Sequence, residues 1–316
     1  MARSTSTPVA TSGTETIPVP QRSLALSLLL SLRPAQWSKN LIVFAGLLFG
    51  MRLFDIGAVL AALSAFAVFC ALSGVVYLVN DIVDRHSDRL HPLKSKRPIA
   101  SGAVPVPVAA GAAVAIGAAA LAGAYVIGPA FAGVGAFYLA LQILYSFAFK
   151  HMVILDVLTI AIGFVLRAVG GALAVRVEIS HWLLVCTILL ALFIALAKRR
   201  HELTLLADGA TSHRPILEEY SPYLLDQMIG VVTVSTLVAY AVYATSPETA
   251  QRLGTTRLGR TIPFVLYGIF RYLYLVHQKR AGGSPSALLV TDGPLLGCVA
   301  LWSLAVAVIL YTPLGR

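Results

Sequence analysis

Apolar runs near or above 18 residues recur along almost the whole chain, each closed by a short polar or Gly/Pro-containing break, which is the pattern of helices solvated by lipid. They predict spanning helices at about 40–55, 57–84, 104–126, 129–148, 153–175, 181–204, 221–244, 261–277 and 289–311. The first and the eighth are the shortest. An apolar run at 24–32 is too short to span. It leads into Arg33-Pro34-Ala35-Gln36-Trp37-Ser38-Lys39-Asn40, where a Trp beside basic residues suits the headgroup level, so it is expected as an interfacial helix. Residues 1–20, rich in Ser, Thr and Pro and without the features of a secretory signal, read as a disordered tail, and 21–316 as one transmembrane catalytic domain. The expected fold is an all-α, polytopic membrane bundle of about nine transmembrane helices.

Composition excludes a water-soluble globule, because 58% of residues are hydrophobic and 12% charged, against about a quarter charged in soluble domains. A formal net charge of +10 could suggest nucleic acid, but the cations fall between apolar segments and form no stripe, so no nucleic-acid partner is expected. They report topology instead. Nine spans place sixteen of the 24 Lys and Arg on the side of the N-terminus. Arg52, Arg176, Arg252, Arg257, Arg260 and Arg316 fall on the other side, and Arg167 and Arg271 within spans. Positive loops stay in the cytoplasm, so the first side is cytoplasmic. Cys70, Cys186 and Cys298 lie far apart inside apolar segments with no metal-ligand spacing, and are expected to be packing residues.

The stretch Tyr77-Leu-Val-Asn80-Asp81-Ile-Val-Asp84-Arg85-His-Ser-Asp88 closes the second span. On one helix, Asp84 and Asp88 lie about 60° and 20° around the axis from Asp81, so three carboxylates share a face with Asn80 beside them. Each ionised carboxylate costs roughly 2.5–3.5 kcal/mol at bilayer depth, so a cation must hold them. Oxygen-only ligands favour Mg²⁺, which bridges a few carboxylates to substrate phosphates. The competing reading is a solvated helix end paired with Arg85 and Arg89. Lys94, Lys96 and Arg97 follow directly, in a loop shaped by Pro92, Pro98 and Gly102, and cations beside a metal-carboxylate cluster suit a diphosphate.

On the fifth span Asp156, Gly163, Arg167 and Gly170 form one polar, small-residue face. An Arg so deep in a span needs a partner, so Arg167 is expected to border the site or pair with a site carboxylate, a structural ion pair being the alternative. On the fourth span Gln142 and Tyr145 share a face and Lys150 follows at the boundary. They are candidates for hydrogen bonds to ribose or phosphate oxygens, and Tyr145 equally for an interfacial anchor. Lys198-Arg199-Arg200-His201-Glu202 closes the sixth span, with Glu202 one turn from Lys198; it is either a phosphate ligand set or a topology signal. Lys39 and Arg33 are candidates to receive a lipid phosphate, or lipid headgroups in general.

Asn80-Asp81-x-x-Asp84-x-x-x-Asp88 followed by Arg97-Pro98-Ile99 resembles the first aspartate-rich motif of the UbiA-type intramembrane prenyltransferases, with the resemblance running from residue 33 to about 311. Within that superfamily the chain is most similar to the decaprenyl-phosphate phosphoribosyltransferases. The similarity is carried by Arg33-Pro34-x-Gln36-Trp37-x-Lys39-Asn40, His91-Pro92-x-Lys94-x-x-Arg97-Pro98, Lys150 with Asp156, Leu166-Arg167-Ala168 and Lys198-Arg199-x-x-Glu202. Asp292-Gly293-Pro294 matches a family Asp-x-Pro element of unassigned role.

The resemblance implies transfer of 5-phosphoribosyl from phosphoribosyl pyrophosphate to a polyprenyl phosphate, with release of pyrophosphate, for cell-wall arabinan synthesis. It also implies a bacterial plasma membrane with the active site facing the cytoplasm. Asn80, Asp81, Asp84 and Asp88 would hold Mg²⁺ and the donor, helped by Lys94 and Arg97, and the acceptor phosphate would approach near Lys150, Lys198, Arg199 or Lys39. Aromatic-acceptor prenyltransferases of the same fold carry a second aspartate-rich motif where this chain has 198–202, which weighs against that rival. A lipid transporter or binding protein without turnover is the other rival, and a homo-oligomer stays open.

Overall fold

The computed structural model describes residues 23–178, 180–207, 215–279, 288 and 291–312. Among the described residues every regular element is helical: α1 (Leu24–Ser31), a 3₁₀ segment (Pro34–Phe44), α2 (Ala45–Phe49), α3 (Ile56–Val83), α4 (Arg85–Leu90), α5 (Pro98–Ser101), α6 (Val106–Ile127), α7 (Pro129–Phe147), α8 (Leu155–Ala174), α9 (His181–Ala207), α10 (Pro222–Thr245), α11 (Pro247–Leu253), α12 (Ile262–His277) and α13 (Gly293–Tyr311). The tail expected over 1–20 lies outside the described residues.

Seven of these helices, α3, α6, α7, α8, α9, α10 and α13, are long and apolar enough to cross a membrane, which makes this a multi-pass membrane protein. The expected count of nine is not reproduced, and the two expected helices that fall short do so for different reasons. The segment expected as one helix over 40–55 is instead a 3₁₀ run, a short α2 and a turn. Arg33 enters the run in the left-handed region at φ 53°, and Met51 leaves α2 the same way at φ 55°. Irregular backbone survives at this depth because it is buried in protein: Asn40 and Val43 are fully buried, and a Cβ on Gly171 of α8 would stand 1.9 Å from the Val43 carbonyl oxygen. Hydropathy alone cannot distinguish such a segment from a span. The eighth expected helix is the 16-residue α12, entered through a 3₁₀ turn at Arg257–Thr261.

The long helices pack in chain order, α3 on α6, α6 on α7, and so on to α10, and the 3₁₀ segment lies against both α3 and α8. The central pair is α3 and α8, of which 50% and 56% is buried, against 22% for α6, α7 and α13. Two cores flank it. Phe69, Leu72, Phe131 and Tyr138 fill the one between α3, α6, α7 and α8. Phe193, Leu196, Leu225, Ile229 and Tyr272 fill the one between α9, α10 and α12. Cys70 and Cys298 are buried free thiols and Cys186 is a half-buried one, in keeping with packing roles.

The termini of α3 set the polarity of the site. Asp55 caps its start, its Oδ1 accepting from the Ala58 amide at 3.1 Å. Its last turn delivers Asn80 and Asp81, and the chain bends at Asp84 into α4, which carries Asp88. At about 1.5 Å per residue, a helix of 28 residues holds its two ends some 40 Å apart, so Asp55 and Asp84 occupy opposite ends of the bundle.

Candidate active site

Across the bend at Asp84, Asp81 and Asp88 converge on Arg97 and turn inward, while Asp84 meets Lys150 and Asn80. Asp81 is 2% and Asp88 3% exposed, so they do not form a solvated helix end. Nor do they pair with Arg85 or Arg89: Arg85 lies against His86 and Arg89 donates to the Ala100 carbonyl. Arg97 reaches them from the adjoining loop, as expected, and two further cations come from distant segments. Arg33 pairs with Asp81 while its guanidinium stacks over the Tyr77 ring at 4.7 Å. Arg97 Nη1 reaches Asp81 Oδ1 at 3.1 Å and Asp88 Oδ2 at 2.6 Å. Lys150, 6% exposed on the turn between α7 and α8, donates to Asp84 Oδ1 at 2.5 Å, and Asn80 Nδ2 donates to the other oxygen of Asp84 at 3.1 Å.

A second network lies where α8 meets α9. Arg199 Nε donates to Asp156 Oδ2 at 2.6 Å and its Nη1 to Glu202 Oε2 at 2.7 Å, with the Tyr145 hydroxyl 3.5 Å from Nη2. The other oxygen of Asp156 accepts from Tyr220 at 2.8 Å, and that hydroxyl in turn accepts from the Ile154 amide at 2.8 Å. Burial, the largest cause, pushes the Tyr220 phenol up to about 12. Lys198 stands 3.8 Å from Glu202 and is 41% exposed. Arg199 is enclosed by its own partners, so of this cationic stretch it is Lys198 that presents charge outward.

The third network decides among the alternatives for Arg167: it borders the site beside Lys39, and neither of the expected ion pairs forms among the described residues. Among the described residues Arg167 has no carboxylate partner: it donates to Asn40 Oδ1 at 2.6 Å, the Gly163 carbonyl at 2.9 Å and the Tyr138 hydroxyl at 2.7 Å, and its guanidinium lies 4.7 Å from the Tyr138 ring. Asn40 is held in place by donating to Ser73 and Cys70 of α3. Arg167 therefore keeps its positive charge uncancelled while binding the 3₁₀ segment to α8. Gln142 packs over Gly163, where an added Cβ would come within 2.7 Å of its amide nitrogen.

Lys39 links the networks. It lies outside the seven spanning helices, and its ammonium is pushed down to about 8, first by burial and then by the charges of Lys198, Arg167 and Arg33. On the same segment the Trp37 indole N–H is buried without a hydrogen-bond partner among the described residues. Lys94 is half-buried in the loop before Arg97; its charge, after burial, is the next largest cause lowering the pKa of His91. The sequence-predicted residues thus gather at one end of the bundle. Asp292 does not join them: it pairs with Arg271 at 2.8 Å and caps α13 through the Leu295 amide at 2.9 Å.

Asn40, Tyr138 and Tyr220 are site-building residues that sequence reasoning missed. Tyr138 was within its reach, since it precedes Gln142 and Tyr145 by four and seven positions and shares their helical face. Tyr220 carries no such signal, because it reaches Asp156 from a loop.

The carboxylates of Asp81, Asp84, Asp88, Asp156 and Glu202 are outnumbered by the cations of Arg33, Lys39, Lys94, Arg97, Lys150, Arg167, Lys198 and Arg199, so the region has room for added negative charge. As the side chains stand, no three acidic or His/Cys groups among the described residues form a metal cage. Magnesium does not need one, since it commonly takes one or two carboxylates, water and substrate phosphate. Asp81 and Asp88 already converge on a single positive centre, Arg97 Nη1, and the donor set is all oxygen. The residues fit such an ion.

The sequence pattern described as the UbiA prenyltransferase family matches residues 40–288. The chain is similar to the decaprenyl-phosphate phosphoribosyltransferase of Corynebacterium glutamicum, 33% identical over 297 residues that cover 92% of this chain and 89% of that protein. It is similar also to the decaprenyl-phosphate phosphoribosyltransferase of Mycobacterium tuberculosis, 32% identical over 288 residues, 90% of this chain and 94% of that one. Among solved structures, a UbiA homolog from Archaeoglobus fulgidus bound to GPP and Mg²⁺ superposes with a TM-score of 0.67 at 19% identity, covering 89% of this chain and 99% of that chain. That likeness is one of fold.

Proposed function

The chain belongs to the UbiA prenyltransferase family, and from that premise we propose that it transfers 5-phosphoribosyl from phosphoribosyl pyrophosphate to a polyprenyl phosphate, releasing pyrophosphate. The observation that carries the reading is the composition of the site: an inward carboxylate face answered by Arg33, Arg97 and Lys150, beside Lys39 and Arg167, neighbouring cations that pair with no carboxylate among the described residues. Two phosphorylated substrates need two anion sites, one with metal-binding carboxylates and one without.

In this reading Asp81, Asp84, Asp88 and Asn80 would hold magnesium, which would supply charge neutralisation for a departing diphosphate. Arg97 and Lys150 exchange their carboxylate partners for diphosphate oxygens, and Lys94 adds its charge beside them. Arg199, enclosed by Asp156, Tyr145 and Glu202, positions Glu202, which orients Lys198. Gln142 and Tyr145 face the ribose. The acceptor phosphate enters from the membrane toward Lys39 and Lys198, with Arg167 behind them. One acceptor oxygen forms a bond to the anomeric carbon as the bond from that carbon to the diphosphate oxygen breaks, and its electron pair leaves with pyrophosphate. The acceptor is already anionic at neutral pH, so no strong base is required. The aspartate end faces the cytoplasm, where the donor is made and where most Lys and Arg of the loops lie.

Relatives named for this activity over about nine-tenths of the chain support the assignment, as does 198–202, whose one carboxylate, Glu202, is already paired with Arg199 and Lys198. The test is purified protein with decaprenyl phosphate, labelled phosphoribosyl pyrophosphate and Mg²⁺. A labelled lipid is expected. No product from folded protein, beside an active relative, overturns the assignment, and consumption of an allylic diphosphate with a phenolic acceptor replaces it by aromatic prenylation.

A further inference from the structure

At the end of the bundle opposite the aspartates, a cavity of about 320 Å³ opens between the starts of α3 and the ends of α6 and α8, lined among others by Arg52, Ala61, Ser64, Ile127, Val175 and Arg176. Nothing in the phosphoribosyl reaction uses it. Its two arginines are held by matching chain reversals. Arg52 follows Met51, at φ 55°, and its amide returns to the Leu47 carbonyl at 3.1 Å. Arg176 itself is at φ 54°, and the next amide returns to the Ala172 carbonyl at 3.0 Å. Glycine ordinarily fills that left-handed position at a helix end; here it carries a guanidinium.

The two arginines differ in what they have left to give. Arg52 is anchored, donating to Asp55 through Nη2 and through Nε at 3.1 Å and to the Val175 carbonyl through Nη1 at 3.0 Å, which leaves one N–H on each terminal nitrogen. Arg176 is exposed, and its guanidinium makes no ion pair or hydrogen bond among the described residues. With Asp55 cancelling one charge, the pair presents one net positive charge. Just before the lining residue Gly57 the chain turns apolar side chains outward: Phe54 and Ile56 are 80% and 77% exposed, with Phe54 edge-on to Tyr311 at 5.3 Å, the arrangement of an interfacial anchor. From there Gly57, Ala58 and Ala61 give α3 a shallow small-residue face leading into the cavity. Arginine is also the sole cation of the described loops at this end, whereas all six lysines fall at the other, and its planar fork suits phosphate oxygens better than an ammonium does.

We propose that this cavity binds the headgroup of an anionic phospholipid from the leaflet opposite the aspartates, its phosphodiester taken by Arg176 and the free donors of Arg52 and its acyl chain lying along the Gly57–Ala61 face of α3. A free phosphate ion would match the charge and leave these outward apolar side chains and the small-residue face exposed to water, which is why a lipid is the better occupant.

Arg176→Gly separates binding from folding, because glycine relieves the left-handed backbone. In lipid-free detergent this variant should melt at or above the wild-type temperature. In native mass spectrometry it should retain phosphatidylglycerol about tenfold less well, the loss of a charge-assisted pair of hydrogen bonds. Ala61→Phe, which fills the cavity and leaves both arginines, should lose the same lipid, and wild type should retain phosphatidylcholine poorly. Unchanged phosphatidylglycerol retention in both variants, equal retention of the two lipids by wild type, or a stabilisation by inorganic phosphate alone matching that by phosphatidylglycerol overturns the proposal.

Discussion

Arg199 Nε lies 2.6 Å from Asp156 Oδ2, and the two side chains, 43 positions apart in the chain, are 2% and 0% exposed. The pair ties α9 to α8 beneath the site. Truncating one partner strands the other charge in a dry interior, so Arg199→Met should destabilise the fold by about 3–5 kcal/mol, read as a lowered thermal midpoint in detergent. Asp156→Leu added to Arg199→Met should recover much of that loss, because it removes the stranded charge. A double variant no more stable than Arg199→Met refutes the account.

Asp84 is the aspartate of the trio that faces Lys150 and Asn80 and not Arg97. Asp84→Asn keeps the shape and deletes the charge, so it should lower kcat/KM on the order of 100-fold or more and shift the Mg²⁺ requirement upward. Lys150→Met should raise the KM for phosphoribosyl pyrophosphate more than it lowers kcat if the lysine serves the donor's diphosphate. Steady-state assays across Mg²⁺ and donor concentration decide both.

Lys39 is predicted to make acceptor binding sensitive to mild alkali. Its folded-state pKa is about 8 against an ordinary 10.5, so between those values the free folded protein carries fewer protons than the unfolded chain, and its contribution to stability rises with pH across that window. The charge that would attract a phosphate disappears over the same window. KM for polyprenyl phosphate should therefore climb above about pH 8, with the donor's KM less affected. Lys39→Arg should flatten that climb, since guanidinium keeps its proton; an identical pH profile in this variant would exclude Lys39 from acceptor binding.

Two glycines of α8 should respond differently to alanine. A Cβ at Gly171 would meet the Val43 carbonyl oxygen at 1.9 Å, a backbone atom that cannot swing aside, so Gly171→Ala should destabilise the fold by several kcal/mol, through forced overpacking. At Gly163 the nearest atom is the amide nitrogen of Gln142 at 2.7 Å, the end of a flexible side chain. Gly163→Ala should displace Gln142, lowering activity with a smaller loss of stability. Paired melting and activity measurements distinguish the two.

Hydropathy and spacing sufficed for the membrane class, the long helices and the convergence of Asp81 and Asp88, because each depends on a preference that a segment expresses locally: burial in lipid, or the 3.6-residue period that sets Asp88 two turns from Asp81. They could not decide that 40–55 would fold as a 3₁₀ run with a short helix, since apolar composition is equal in both and the difference lies in Gly171 admitting the Val43 backbone.

The partners of the charges were beyond sequence for the same reason. Arg33 and Lys150 are remote from the aspartates they hold, Arg167 settles on Asn40 and Tyr138 and not on a carboxylate, and Arg176 borders a cavity that no motif marks. Sequence by itself determined where charge occurs along each helix. Which long cationic side chain neutralises which carboxylate, and which stays unneutralised for a ligand, was decided by tertiary structure alone, because a flexible side chain pairs with whatever the neighbouring helices bring within its reach.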